Sequence, residues 1–207
     1  MVNKLILPLL ILLFNSLYSE SKVRFPDDAE RPYNYRVIDE FLHVGGTPLS
    51  PSYSNSDEKV MSILKYLKSK GVLYVVTLDG SRKSRTRLPG LIRKAGLTPI
   101  KMYMNASKVP NDKEWKKLLD LMRQKKGIYI HCTWGADRSG AIVAKYLVDL
   151  KGYTPEKAWR AITTGGSHAG KRGGFKKSPS CKKLLLFFWS NVKDDEPDVA
   201  RIYEIGY

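Results

Sequence analysis

The chain has 207 residues, 43% hydrophobic and 27% charged, which suits one globular domain with a sizeable core and leaves no room for two. Lysine and arginine number 36 against 20 acidic residues, a formal net charge of +16, so the surrounding field draws anions inward. Two cysteines, Cys132 and Cys181, and three histidines without paired spacing exclude a disulfide framework and argue against any metal centre or metal cofactor.

Lys4, the apolar run 5–14 and the residues 15–19 that follow form the pattern of an export signal. Residues 1–19 therefore read as a signal peptide and 20–207 as the mature domain, exported to the periplasm or secreted; the apolar run is too short to span easily as an anchor. Residues 21–34 are a polar, proline-bearing lead-in. Two short strands follow at 35–38 and 41–44, turned at Asp39-Glu40 and closed by Gly45-Gly46. After a loop at 50–56, residues 57–70 place Val60, Ile63, Leu64 and Leu67 on one face of a helix that Gly71 ends.

Residues 72–78 are a near-continuous apolar run, the mark of a strand buried on both faces of a parallel sheet. A basic loop comes next, with Arg82, Lys83, Arg85 and Arg87 and no acid among them; Pro89 and Gly90 break it before 91–95. A strand at 99–104 precedes a helix capped by Asn111 or Asp112, whose Trp115, Leu118, Leu119 and Met122 make a core stripe. Beyond residue 150, Thr154-Pro155 open a helix with Ala158, Trp159 and Ile162 inward. A glycine-rich loop at 165–174 carries His168, Lys171 and Arg172 and either borders the site or is plain surface. Ser178-Pro179 start a last helix that ends in the all-round apolar run 184–189, and 194–207 is unassigned.

The stretch that carries chemistry is 128–140. A β-branched and aromatic run ends in His131-Cys132, the loop Thr133-Trp134-Gly135-Ala136-Asp137 follows, and Arg138-Ser139-Gly140 lead into an unbroken apolar helix. In a strand, loop, helix layout the loop's N–H groups gather at the positive end of the helix, where an anion is favoured. A thiolate at the mouth of such a nest is a nucleophile, and an arginine fork can hold two phosphoryl oxygens at once.

This stretch resembles the signature loop of the cysteine-dependent protein tyrosine and dual-specificity phosphatases: His-Cys, five residues, Arg, then Ser or Thr. The wording at 35–48, Tyr-Arg-Val-Ile-Asp-Glu-Phe-Leu-His-Val-Gly-Gly-Thr-Pro, is similar to the first hairpin of bacterial dual-specificity-type phosphatases. The resemblance implies an α/β fold, a mostly parallel central sheet flanked by helices, and a phosphocysteine on Cys132. It implies that Arg138 clamps the phosphoryl oxygens together with the backbone of residues 133–138, that Ser139 assists the leaving sulfur, and that His131 orients the cysteine from behind. It implies no cofactor.

The family usually supplies an acid from an aspartate roughly 30 residues before the cysteine. Here residues 101–110 hold no carboxylate. Asp137 is the first candidate, because some lipid-directed relatives place an aspartate at that loop position; Asp112 and Asp79 come after it, and a helix cap is the competing role for Asp112. The expected partners are a phosphorylated protein or a phosphoinositide substrate. The basic runs 82–94 and 171–183 are either solvated surface or a landing place for polyanions, including an anionic membrane. Aromatics do not interleave with these basics, so no nucleic acid is expected. A binding module of low activity is the alternative function, and a rhodanese or arsenate reductase fits the trailing Ser-Gly less well. Cys181 is either a small apolar residue or a partner that resolves an oxidised Cys132 as a disulfide.

Overall fold

The order in which strands pair explains where a site can form. In the computed structural model, residues 30–163, 165–171, 175 and 181–191 are described. The expected export signal at 1–19, Ser178-Pro179, the basic residues Arg172, Lys176 and Lys177, and the tail 194–207 lie outside them.

Strands β1 (Arg36–Asp39) and β2 (Leu42–Gly46) form an antiparallel hairpin. Strands β3 (Tyr74–Asp79), β4 (Thr98–Met104) and β5 (Ile128–Cys132) join it in the order β1-β2-β5-β3-β4, every pairing after the first being parallel. The expected mixed α/β architecture, mostly parallel, is what the chain adopts. β5 is the middle strand, and all of its residues are buried.

Alternation along the strands divides the core in two. Val75 and Tyr129 point to one face, where they pack with Val60, Ile63, Leu64 and Leu67 of α1 (Asp57–Ser69) and with Leu88, Leu91 and Ile92. Val76, Ile128 and Ile130 point to the other, against α4 (Asp112–Arg123), α5 (Asp137–Lys151), α6 (Pro155–Ile162) and α7 (Lys182–Leu186). Thr154 caps α6 through its side chain, with Pro155 in the first turn and Ala158, Trp159 and Ile162 inward.

Three sequence expectations change. Residues 82–86 are helical: Ser81 accepts from Ser84 N and caps α2 (Arg82–Thr86). Pro89 and Gly90 do not break the chain but lie in the first turn of α3 (Leu88–Lys94), where a missing N–H costs nothing because it would have no helical partner. The run 184–189 is not buried all round, since Leu186 is 38% exposed while Leu184, Leu185, Phe188 and Trp189 are buried. A helix end one turn from the surface keeps one side in water.

Candidate active site

Sheet register brings β5 out at its carboxyl end beside β2, with Gly46 opposite Cys132 and Thr77 of β3 opposite His131. The chain then turns sharply over Gly45 and Gly46. Gly135, at φ +70°, lies so close to their backbone that any side chain would overlap it.

Residues 133–136 are held from outside by their carbonyls. Thr133 O accepts from Thr47 N at 3.2 Å. Gly135 O accepts from Asn34 Nδ2 at 3.0 Å and from Arg36 Nη1 at 2.7 Å. In a planar trans peptide the N–H points away from the carbonyl, so the amides of Trp134 and Ala136 turn inward. Helix α5 begins at Asp137 with no side-chain cap on its first turn. Inward amides and an uncapped helix end together make a nest for a tetrahedral oxyanion.

Cys132 sits at this nest, 2% exposed, with its Sγ 3.5 Å from Ser139 Oγ; that hydroxyl also donates to Ala136 O at 3.2 Å. Behind the cysteine, fully buried His131 has Nδ1 3.4 Å from Cys132 O and Nε2 3.0 Å from Thr77 Oγ1. Burial pushes its pKa down to about 4, so the imidazole is neutral, donating from Nδ1 and accepting the Thr77 hydroxyl.

Arg138 is fixed by three groups. Its Nη2 donates to Thr133 Oγ1 at 2.8 Å, its Nη1 faces Met104 O at 3.5 Å, and Nη1 lies 3.8 Å from Asp79 Oδ1. Asp79 is buried and accepts from Tyr53 Oη at 2.7 Å, Ser84 Oγ at 2.5 Å, and the backbone and side chain of Ser81, both at 3.0 Å. Burial alone would raise its pKa, but the bonds from Ser84, Tyr53 and Ser81 outweigh that and hold it below the usual carboxylate range. An ionised carboxylate that orients the arginine is badly placed in energy to give up a proton.

The other two candidate acids separate as well. Asp112 is the exposed first residue of α4, and the cap is Asn111, which forms a capping box with Glu114. Asp137 is the half-buried first residue of α5, beside Arg138 in the loop itself. Trp134 reaches outward, 54% exposed, edge-on to Tyr33 at 5.5 Å between ring centres.

Sequence reasoning missed Asn34, Arg36, Thr47 and Tyr53. Arg36 is the most consequential: besides Gly135 O it donates through Nε to His168 O at 2.9 Å, tying the 165–171 loop to the signature loop. That loop therefore borders the site. Of the first basic cluster, Lys83 donates to Tyr53 O, Arg87 pairs with Asp57 and Arg85 lies 5.9 Å above the Tyr103 ring, so part of it is structural.

Residues 52–152 match the family described as "Polymorphic toxin system, DSP-PTPase phosphatase". No curated protein sequence matches the chain. Among solved structures, PTPMT1 is 24% identical with a TM-score of 0.55, covering 75% of this chain and 94% of its own. Tk-PTP in its active form is 17% identical at TM-score 0.56, covering 77% and 98%. The catalytic domain of the PP-IP phosphatase SIW14 from S. cerevisiae is 16% identical at TM-score 0.53, covering 83% and 91%.

Proposed function

We propose that this chain, which belongs to the protein tyrosine and dual-specificity phosphatase family and is a cysteine-based phosphoric monoester hydrolase, works through a phosphocysteine on Cys132. The observation that carries this reading is the convergence of Cys132 Sγ, Ser139 Oγ and the anchored Arg138 guanidinium on one loop of inward amides. Cys132 sulfur attacks phosphorus as thiolate, the P–O bond to the leaving group breaks, and Asp137 gives that oxygen its proton. Arg138 and the loop amides hold the equatorial oxygens, whose charge they follow into the transition state. Water then attacks phosphorus, returning a proton to Asp137. The S–P bond breaks, the Ser139 hydroxyl donates to the departing sulfur, and inorganic phosphate leaves.

Two experiments test the chemistry. Quenching the protein during turnover of a labelled aryl phosphate should trap label on the wild type and none on Cys132→Ser; a Cys132→Ser chain that still turns over rejects the mechanism. Asp137→Asn should slow substrates with poor leaving groups far more than those with good ones. Equal losses on both would remove Asp137 as the acid.

The substrate is a phosphorylated protein side chain or a phosphoinositide, with polyanions favoured by the net charge of +16. PTPMT1, a structural relative at 21% identity in this form, has been solved with PI(5)P, which fits the polyanionic side of that range. A panel of phosphopeptides and phosphoinositides decides between them. The protein acts after export through residues 1–19, in the periplasm or outside the cell, and its basic surface rests against anionic membrane. Sequencing the N-terminus of the chain recovered from cell fractions tests this: an intact Met1 in the cytoplasm rejects export.

A further inference from the structure

A second concavity of about 410 Å³ lies beside the supports of the signature loop, lined by none of residues 132–138. Its cations come from three separate parts of the chain: Arg31 in the lead-in, Lys59 on α1 and Lys171 at the end of the glycine-rich loop. Among the described residues, no aspartate or glutamate lines it. Hydroxyl and amide groups, Ser50 and Asn55 among them, share the wall with the apolar surfaces of Pro51 and Ile63. A single inorganic ion would leave most of this volume empty, whereas it falls within the range that small organic ligands fill.

The same residues form the scaffold behind the catalytic loop. Tyr33 and Asn34 line the concavity; Tyr33 O accepts from Gly46 N at 2.6 Å, and Asn34 Nδ2 donates to Gly135 O. Thr47 lines it too and holds Thr133 O. Arg36 joins the loop that bears Lys171 to Gly135 O. A ligand drawing Arg31, Lys59 and Lys171 together therefore bears on the carbonyls that turn the nest's amides inward.

We propose that this concavity is a second anion site, taking a phosphorylated small organic group and stiffening the signature loop from behind when filled. Three cations lining one concavity favour a multiply charged phosphate, and the proline and isoleucine wall accepts the carbon body that carries it. Such a site couples to catalysis by ordering what the first site needs ordered. Either a soluble sugar or inositol phosphate or a lipid headgroup presents this chemistry.

The test keeps the two sites apart. The full chain bearing Cys132→Ser is saturated with tungstate, which occupies the signature loop, and is then titrated calorimetrically with inositol hexakisphosphate. In a parallel arm it is sedimented with vesicles of phosphatidylcholine and phosphatidylinositol. Binding of the soluble probe beside tungstate is expected, weakened about tenfold by Lys59→Ala and again by Arg31→Ala, with tungstate affinity kept in both. Binding to the vesicles instead, lost in the same variants, supports the site and names the lipid headgroup as its source. Retained tungstate affinity shows that each variant is folded, and Lys171→Glu supplies an independent third substitution. No second binding in either arm, or binding indifferent to all three substitutions, overturns the proposal. Turnover of an aryl phosphate by the wild type is measured separately, so loss of the phosphatase reading and loss of the second site give different results.

Discussion

Helices α4 and α5 both follow a strand of the parallel sheet, and their first turns are opposite in kind. α4 closes its own end: Asn111 Oδ1 accepts from Glu114 N at 2.9 Å while Glu114 Oε2 accepts from Asn111 N at 3.0 Å. α5 has no side-chain cap, and the loop before it is pulled open from outside by Thr47, Asn34 and Arg36. The first arrangement stabilises a helix; the second leaves its donors for a ligand. A site here is a helix terminus that the protein declines to satisfy itself, so changes at the open end should cost activity and changes at the closed end should cost stability.

The largest break in that contrast is Arg138→Lys. Lysine keeps the charge but loses the planar fork that meets Thr133 and Asp79 while gripping oxygens, so kcat/KM on an aryl phosphate should fall about 10³-fold with little change in Tm. A loss under tenfold would mean that charge alone suffices.

Asp79→Asn comes next. It leaves the guanidinium without its carboxylate and should lower kcat/KM by about 10²-fold and stability by about 2 kcal/mol, since the Tyr53 and Ser84 hydroxyls then meet a weaker acceptor. Because Asp79 is an ionised anchor, the pH–rate profile should keep its shape. Disappearance of the limb that reports the general acid would move that role to Asp79.

A smaller effect follows from His131. Its folded pKa of about 4 lies below the ordinary histidine value of 6.5, so the unfolded chain takes up a proton that the native one refuses as pH falls. The neutral imidazole's stabilising share is complete above pH 6.5 and is lost towards pH 4, on the order of 3 kcal/mol. Burial lowers the pKa values of His43 and His168 in the same direction. Melting temperatures should therefore drop through this window, and His131→Asn should flatten part of the drop; an unchanged slope would show that the group does not carry it.

The smallest change is at the closed end. Asn111→Ala should cost about 1 kcal/mol in denaturant unfolding and leave kcat/KM untouched. Lost activity there would deny that the two helix ends differ in purpose.

How legible each part was depends on whether its signal is local. Cys132, Arg138 and Ser139 are fixed by spacing within one turn from strand to helix, and period-2 and period-3.6 patterns identify β5, α1 and the stripe on α4. The same local reading placed a break at Pro89, because proline's preference for a first turn looks like a stop until the helix is seen to begin at Leu88. It left Asp79 as a candidate acid, since four hydrogen bonds from Tyr53, Ser81 and Ser84 are invisible in the residue itself.

By itself the sequence determined the signature spacing of Cys132, Arg138 and Ser139, the alternating α/β layout and the excess of positive charge, because each is written in neighbouring residues or in totals. Tertiary structure alone decided what holds the loop open. Asn34 and Arg36 act on Gly135 across 101 and 99 residues of chain, Tyr53 on Asp79 across 26, and the pairing of β5 with β2 on one side and β3 on the other brings those partners within hydrogen-bond reach.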